Sequence, residues 1–325
     1  MSFQSVVGQD HAKRILQNGL KNKSLSHAYV FSGPKGTGKR KLATLLAQAL
    51  YCIRQDGDAC GECMECRKVA HGNHPNFHLI EPDGASVKIE QIRDLQKKFA
   101  YRSVDDQAKV YVIQDADKMT VQAANSLLKF LEEPVANVIA ILLTENGKSL
   151  LPTIQSRVQW VPFVPQDPRI MANVLIENGI TPTLALSAVR LASGVEAALE
   201  LARNEWFAEA RSTMVQLAKE TLTRFPAAML TAQQKVLKGD LSDKLDTILD
   251  LWMLWLKDMI QLQCGRKEHI VFVDQLEWLL EKAFSRDVSY WVQAMDHVAD
   301  TRKRLRYHAN PQLAVEKLIM DMQGG

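Results

Sequence analysis

The fold of this chain is decided by the segment Ala28-Tyr29-Val30-Phe31-Ser32-Gly33-Pro34-Lys35-Gly36-Thr37-Gly38-Lys39-Arg40. An apolar, β-prone run leads into a glycine-rich turn, and residues 41–51 then repeat apolar side chains at the spacing of one helix face. The turn fits the pattern G-x-x-x-x-G-K between a strand and a helix, which is typical of a phosphate-binding loop. We therefore predict a loop in which backbone N–H groups and a lysine face phosphate oxygens. Its residues are Gly33, Gly36, Thr37, Gly38 and Lys39.

Two positions beside this loop lack the groups that hold magnesium. The residue after the lysine is Ser or Thr in the motif, and its hydroxyl binds Mg²⁺. Here it is Arg40, whose guanidinium has donors only. The apolar run 110–113 is followed by Gln114 where an acid is expected, and Asp115 falls on the opposite face unless the strand end slips. We predict weak ATP binding at most and no hydrolysis.

Five apolar runs in the first half of the chain predict the strands of a mainly parallel sheet. Helical patterns separate most of them, as in α/β domains whose strands are joined by crossover helices. The predicted strands are Ala28–Ser32, Phe77–Ile80, Lys109–Ile113, Val138–Thr144 and residues 158–161.

Three prolines, Pro162, Pro165 and Pro168, predict a domain boundary. Proline disfavours helix in the residue before it and cannot donate to a sheet. Beyond them the pattern is helical to the end, with short helices at 169–178, at 182–192 and after Gly194, and longer helices from about Glu209. The fold class is therefore α/β followed by all-α. The predicted domains are 1–165, 166–208 and 209–325.

An apolar stripe in the last domain is interpreted as core or subunit contact rather than a binding site, because its residues recur at i, i+3 and i+4. They are Leu245, Ile248, Leu249, Trp252, Trp255, Leu256 and Met259.

Four of the five cysteines lie close together with the spacing C-x₇-C-x₂-C-x₂-C: Cys52, Cys60, Cys63 and Cys66. In the reducing cytosol such a cluster favours metal over disulfides. Four thiolates complete a tetrahedral shell, so we predict a structural zinc module at about 52–75. The alternative is a group of free thiols or a labile disulfide. We expect His71, His74 and His78 to be solvated and Cys264 to be buried.

The bulk composition excludes few partners. The formal net charge is +3 and the sequence pI is about 8.5, which permits contact with nucleic acid without arguing for it. Residues 1–10 show no secretory pattern, and the apolar run 251–256 is too short to span a membrane. We expect a cytoplasmic protein with no membrane contact.

A series of short segments resembles the bacterial clamp-loader subunits over about the first 165 residues. The most specific part is Leu127-Leu128-Lys129-Phe130-Leu131-Glu132-Glu133-Pro134, and residues 310–316 resemble the end of the same family's collar. The other segments are residues 26–29, the four-cysteine insertion, Asn73-His74-Pro75, and Gln155-Ser156-Arg157. The resemblance implies an AAA+ module, in which 166–208 is a helical lid, followed by a helical collar for oligomerisation at 209–325.

Two branches of that family share these segments, and the departures resemble the delta-prime branch. A tau/gamma subunit, which hydrolyses ATP, would carry Ser or Thr at Arg40 and Asp at Gln114. It would also carry a sensor arginine near the start of the helix after Gly194, where this chain has Val195, Glu196 and Ala197.

The resemblance also implies a function in trans. Ser156 and Arg157 match the motif that lends an arginine to the ATP site of a neighbouring subunit, although Val158 replaces the motif's cysteine. From the residues alone, Arg157 could equally make an internal ion pair. The implied partners are delta and tau/gamma in a pentameric ring, with the sliding clamp and primed DNA reached through the complex. The resemblance further implies a component of the DNA polymerase III holoenzyme, from which we expect no autonomous catalysis.

Two other functions remain open from sequence. The intact loop Gly33–Lys39 would suit an ATP-hydrolysing tau/gamma-type subunit. The cysteine cluster together with the basic segment Arg302, Lys303, Arg304 and Arg306 would suit a zinc-dependent DNA-binding module. Such a run is also typical of a solvated helix face.

Overall fold

The computed structural model describes residues 2–54, 57–100, 108–132 and 137–323. The chain divides into two compact units, Met1–Gln166 and Asp167–Gly325. Glu133 and Pro134, which end the segment most typical of clamp-loader subunits, lie outside the described residues.

The first unit contains one five-stranded sheet in which every described strand pair is parallel. The strand order is β2-β3-β4-β1-β5. The first four strands match the predicted bounds, and the fifth lies one residue later because Pro162 pairs with Ser32 at the sheet edge, where proline is tolerated. The strands are β1 (Ala28–Ser32), β2 (Phe77–Ile80), β3 (Lys109–Ile113), β4 (Val138–Thr144) and β5 (Gln159–Pro162).

Helices cover both faces of this sheet, as a parallel sheet requires. Side chains alternate along each strand, so Phe31 and Leu143 contribute to one core, whereas Val30 and Leu142 contribute to the other. Helices α1 (Asp10–Lys21), α2 (Lys39–Tyr51) and α3 (Met64–Ala70) pack on the first face. Helices α4 (Ile89–Ala100), α5 (Val121–Glu132) and α6 (Pro152–Gln155) pack on the second.

Every described secondary-structure element of the second unit is a helix. Its long helices are α10 (Glu205–Thr223), α12 (Leu245–Gln263) and α14 (Val288–Arg306). The others are α7 (Pro168–Glu177), α8 (Pro182–Leu191), α9 (Val195–Arg203), α11 (Phe225–Thr231), α13 (Leu276–Ala283) and α15 (Pro311–Asp321), with shorter turns between them.

One continuous core runs through this unit, from Met171 to Met322. The side chain of Arg211 on α10 donates to Ser187 on α8 at 3.1 Å and to both carboxylate oxygens of Asp274, so a buried polar contact also joins the early and late helices. The division after residue 208 falls inside α10, and the separation of lid from collar stays a prediction.

The apolar stripe on α12 lies in this core. Ile248, Leu249, Trp252, Trp255, Leu256 and Met259 are buried, and Leu245 packs against the core while partly exposed. Among the described residues, no helix combines the length and the apolar character needed to cross a bilayer.

Candidate functional site

The glycine-rich loop between β1 and α2 has the backbone that its sequence predicts. Gly36 and Gly38 have φ values of 75° and 89°, in the left-handed region that favours glycine, and Gly38 precedes the first turn of α2. A Cβ at Gly33 would lie 2.1 Å from the Phe163 carbonyl oxygen, so only glycine fits there. The loop thus lies at the carboxyl end of a central strand, where ligands of open parallel sheets bind.

Lys39 lies across this loop. Its Nζ donates to the carbonyl oxygens of Gly33 and Pro34, the latter at 2.7 Å. Burial lowers the pKa of Lys39, whereas the nearby carboxylates of Glu145, Asp115 and Asp117 act in the opposite direction. The lysine therefore stays close to the positions where phosphate oxygens would lie.

Arg40 fills the position where a motif hydroxyl would hold magnesium. Its Nη1 donates to Glu81 Oε1 at 2.6 Å and to Gln114 Oε1 at 3.1 Å. Asp115 instead accepts from Lys118 Nζ at 2.8 Å. Arg40 has donors only, and Gln114 is neutral and accepts from Arg40, so these two positions do not supply the hydroxyl and the carboxylate that hold Mg²⁺ beside such a loop.

Glu81 was not among the predicted site residues, although the strand register explains its position. Ile80 pairs with Ile113 on neighbouring parallel strands, so the next residues, Glu81 and Gln114, emerge side by side at the same sheet edge. An acid directly after β2 was the available signal.

The four clustered cysteines converge as predicted. Their sulfur atoms all lie within 4.8 Å of one another, which suits a single metal ion. Cys52 directly follows α2, Cys63 precedes the first turn of α3 and Cys66 lies within it. Four sulfur ligands leave no open coordination position, so such a centre would be structural.

The backbone around the cysteines stabilises thiolates. The N–H of Cys63 donates to Cys60 Sγ at 3.4 Å, and the N–H of Cys66 donates to Cys63 Sγ at 3.5 Å. The backbone N–H groups of Cys63 and Glu62 lower the pKa of Cys60 to about 6, whereas burial raises the pKa of Cys66 to about 12.

Two predictions from the sequence, for His74 and for Cys264, were wrong. His74 is buried rather than solvated: its ring stacks on Tyr51 at 4.0 Å, its Nδ1 accepts from the Asn76 N–H, and its Nε2 lies 3.2 Å from Glu65. Burial lowers its pKa. Cys264 is exposed rather than buried, because it follows the last residue of α12 instead of lying on its apolar face.

Arg157 lies just after α6, on the surface of its unit. Its Nη1 donates to Thr153 O at 3.0 Å and to Ser156 Oγ at 3.1 Å. Its Nη2 lies 3.0 Å from the carboxylate of Glu132 at the end of α5. The side chain keeps 36% of its area exposed, so the guanidinium is held in place yet open to solvent.

The basic segment on α14 is partly neutralised. Arg302 donates to both oxygens of Asp250, at 2.6 and 3.3 Å, and Arg304 donates to Asp300 at 2.8 Å. These ion pairs favour a solvated helix face over a free cationic stripe for nucleic acid.

The sheet order and the phosphate loop define a P-loop domain of the AAA+ class whose magnesium position holds an arginine. The profile of a family described as "DNA polymerase III, delta subunit" matches residues 8–167. The chain is 35% identical over 320 residues to the DNA polymerase III subunit delta-prime of Bacillus subtilis, covering 98% of this chain and 97% of the relative. The chain therefore belongs to the delta-prime family of clamp-loader subunits, which confirms the resemblance seen in its motifs.

Other similarities cover less or are more distant. The tau subunit of B. subtilis is 40% identical over 163 residues, which is 50% of this chain and 29% of that protein. A gamma-subunit-related protein from Thermotoga maritima is 18% identical with a TM-score of 0.43, over 95% of this chain and 98% of that one.

Proposed function

We propose that this chain is the non-hydrolysing stator of a DNA polymerase III clamp loader. It would lie in a pentameric ring with delta and tau/gamma subunits, which places the sliding clamp on primed DNA. Its own contribution would be Arg157, assisted by Ser156, at the ATP site of a neighbouring tau/gamma subunit. The exposed, tethered guanidinium of Arg157 is the observation that carries the proposal.

The absence of hydrolysis is supported by the contacts of Arg40. Phosphoryl transfer needs a cation that bridges the β- and γ-phosphates. Arg40 donates a hydrogen bond to Gln114 at the place where that cation would be held. An ATPase of the tau/gamma type would have to displace both side chains.

The role in trans follows from the chemistry of a guanidinium. Negative charge develops on the γ-phosphoryl oxygens in the transition state, and a planar, permanently charged group in a dry interface stabilises it. Arg157 contacts Thr153, Ser156 and Glu132, and 36% of its side chain remains accessible. A partner's phosphate could therefore be reached without unfolding α6.

The direct test is a loader rebuilt with Arg157→Ala. The ring should still assemble, and DNA-stimulated ATP hydrolysis should fall. The loss of rate at the neighbour's ATP site should not exceed the roughly 10³–10⁵-fold effect of arginine fingers in GTPases. Arg157→Lys should also be impaired, since an ammonium lacks the planar fork.

The matched control is Arg304→Ala, which removes an exposed arginine that is likewise ion-paired. An intact ring whose ATP turnover is unchanged by Arg157→Ala would refute the role in trans. The purified chain should show no more magnesium-dependent ATP hydrolysis than its Lys39→Ala variant.

We further propose that Cys52, Cys60, Cys63 and Cys66 hold a structural zinc ion. The convergence of four sulfur atoms and the N–H donors to two of them support this ligand set. Zinc would link the end of α2 to α3 and add to the stability of this segment.

A further inference from the structure

The phosphate loop and Arg40 together combine phosphate-binding groups with a cation that belongs to the chain. The loop keeps its glycine conformations and its lysine, yet the magnesium position is filled by a permanent cation of the chain itself. The phosphate-facing groups of the loop therefore lie beside an internal cation.

The replacement supplies positive charge without a metal. Arg40 is permanently charged and Gln114 is neutral, so this pair carries +1 where a divalent ion would be held. The Glu81 carboxylate, 2.6 Å from Arg40 Nη1, offsets that charge for as long as the two stay paired. A phosphate that takes the place of Glu81 would therefore meet a cation that needs no coordination chemistry.

Arg40 also has donors to spare for a phosphate. Its contacts with Glu81 and Gln114 both use Nη1, whereas a guanidinium has five N–H donors on three nitrogens. The Glu81 contact is an exposed ion pair, with 54% and 53% of the two side chains accessible. Such pairs contribute little, so the guanidinium can exchange Glu81 for a phosphate at small cost.

We infer, on the basis of the proposed absence of hydrolysis, that this loop binds a nucleoside di- or triphosphate without a divalent metal, with Arg40 as the built-in cation. The loop N–H groups and Lys39 contact the phosphates, and Arg40 neutralises the oxygens that magnesium would bridge. Gln114 positions Arg40 by accepting from Nη1. The nucleotide is a stable ligand of the fold and not a substrate.

Calorimetric titration of the full-length chain with ATP and ADP, in EDTA and in excess Mg²⁺, tests this. The affinity of the unaltered chain should agree within about threefold between the two conditions. Arg40→Ala should weaken binding in EDTA by about tenfold or more, as expected for loss of a charge-assisted contact. The double variant Arg40→Thr/Gln114→Asp should bind well only with Mg²⁺.

Controls separate folding from binding. Arg304→Ala should bind as the unaltered chain does, Arg40→Lys should retain part of the EDTA affinity, and circular dichroism should show each variant folded. No binding in either condition, binding that requires Mg²⁺, or equal binding by Arg40→Ala would each overturn the inference. The titration measures nucleotide binding by this chain, whereas the Arg157→Ala loader measures ATP hydrolysis by a neighbouring subunit. Failure of the inference and failure of the proposed function can therefore be distinguished.

Discussion

At the scale of single residues, two arginines of this chain are each held by a carboxylate and remain partly exposed. Arg40 pairs with Glu81 and donates to Gln114 at the end of the sheet, with 54% of its side chain accessible. Arg157 pairs with Glu132 and donates to the carbonyl oxygen of Thr153, with 36% of its side chain accessible. Under the proposed function the first would act within its own phosphate loop and the second at the ATP site of a neighbour.

His74 and the cysteines give a residue-scale prediction about the metal. His74→Ala should leave about one zinc per chain, because that ring stacks on Tyr51 and pairs with Glu65 rather than joining the four sulfur atoms. Cys60→Ser should lower the zinc content sharply, since a four-sulfur shell needs every ligand. Plasma emission spectrometry on freshly purified protein measures both.

A zinc content in His74→Ala as low as in Cys60→Ser would contradict the four-cysteine set. The matched control is His71→Ala, because His71 directly follows α3, the helix that carries Cys66, and is exposed.

At the scale of elements, α12 fixes the connection that follows it. Asp258, only 1% exposed, accepts from the N–H of Val271 at 2.9 Å and of Phe272 at 2.8 Å. Phe272 packs edge-on against Trp255 of the same helix. A buried carboxylate thus satisfies backbone donors that would otherwise lack a partner.

The pH dependence of stability should reveal this carboxylate. Burial raises the pKa of Asp258 to about 6. Between about pH 4 and pH 6 the unfolded chain loses this proton while the native chain keeps it, so stability falls as the pH rises through that window. Relative to Asp258→Asn, the unfolding free energy should fall by up to about 3 kcal/mol.

Urea unfolding followed by tryptophan emission from pH 4 to pH 8 measures that difference. A difference between the two proteins that stays constant over the window would exclude an elevated pKa for Asp258. The pH-dependent change adds to an offset that is present at every pH, because asparagine cannot reproduce both acceptor oxygens.

At the scale of the whole molecule, two units with separate cores predict two separable responses. Of the six tryptophans, Trp160 lies in the first unit, and the other five, Trp206, Trp252, Trp255, Trp278 and Trp291, lie in the second. The cysteine cluster belongs to a core of the first unit. A zinc chelator should therefore lower the melting temperature of the first unit and leave the tryptophan transition nearly unchanged.

Parallel melts followed by far-ultraviolet circular dichroism and by tryptophan emission test this. Equal shifts of both signals on chelation would mean that the units unfold together. Cys60→Ser should reproduce the effect of the chelator, and the chelator should then have no further effect on that variant.

The sequence by itself determined the sheet, the loop and the cysteine cluster. Four strands matched their predicted bounds because buried parallel strands are short continuous apolar runs between turns. The loop and the cysteines followed from local spacing, since their chemistry depends on neighbours along the chain. The loss of the groups that hold magnesium could also be predicted from the sequence, at Arg40 and Gln114.

Only the tertiary structure decided which distant side chains meet. Glu81 reaches Arg40 through the register of β2 and β3, and Glu132 reaches Arg157 because α5 ends beside α6. His74 becomes buried through its stacking on Tyr51, and Asp258 through the return of the chain at Val271. Such contacts join residues far apart in sequence, and the packing of elements, which no local pattern encodes, brings them together.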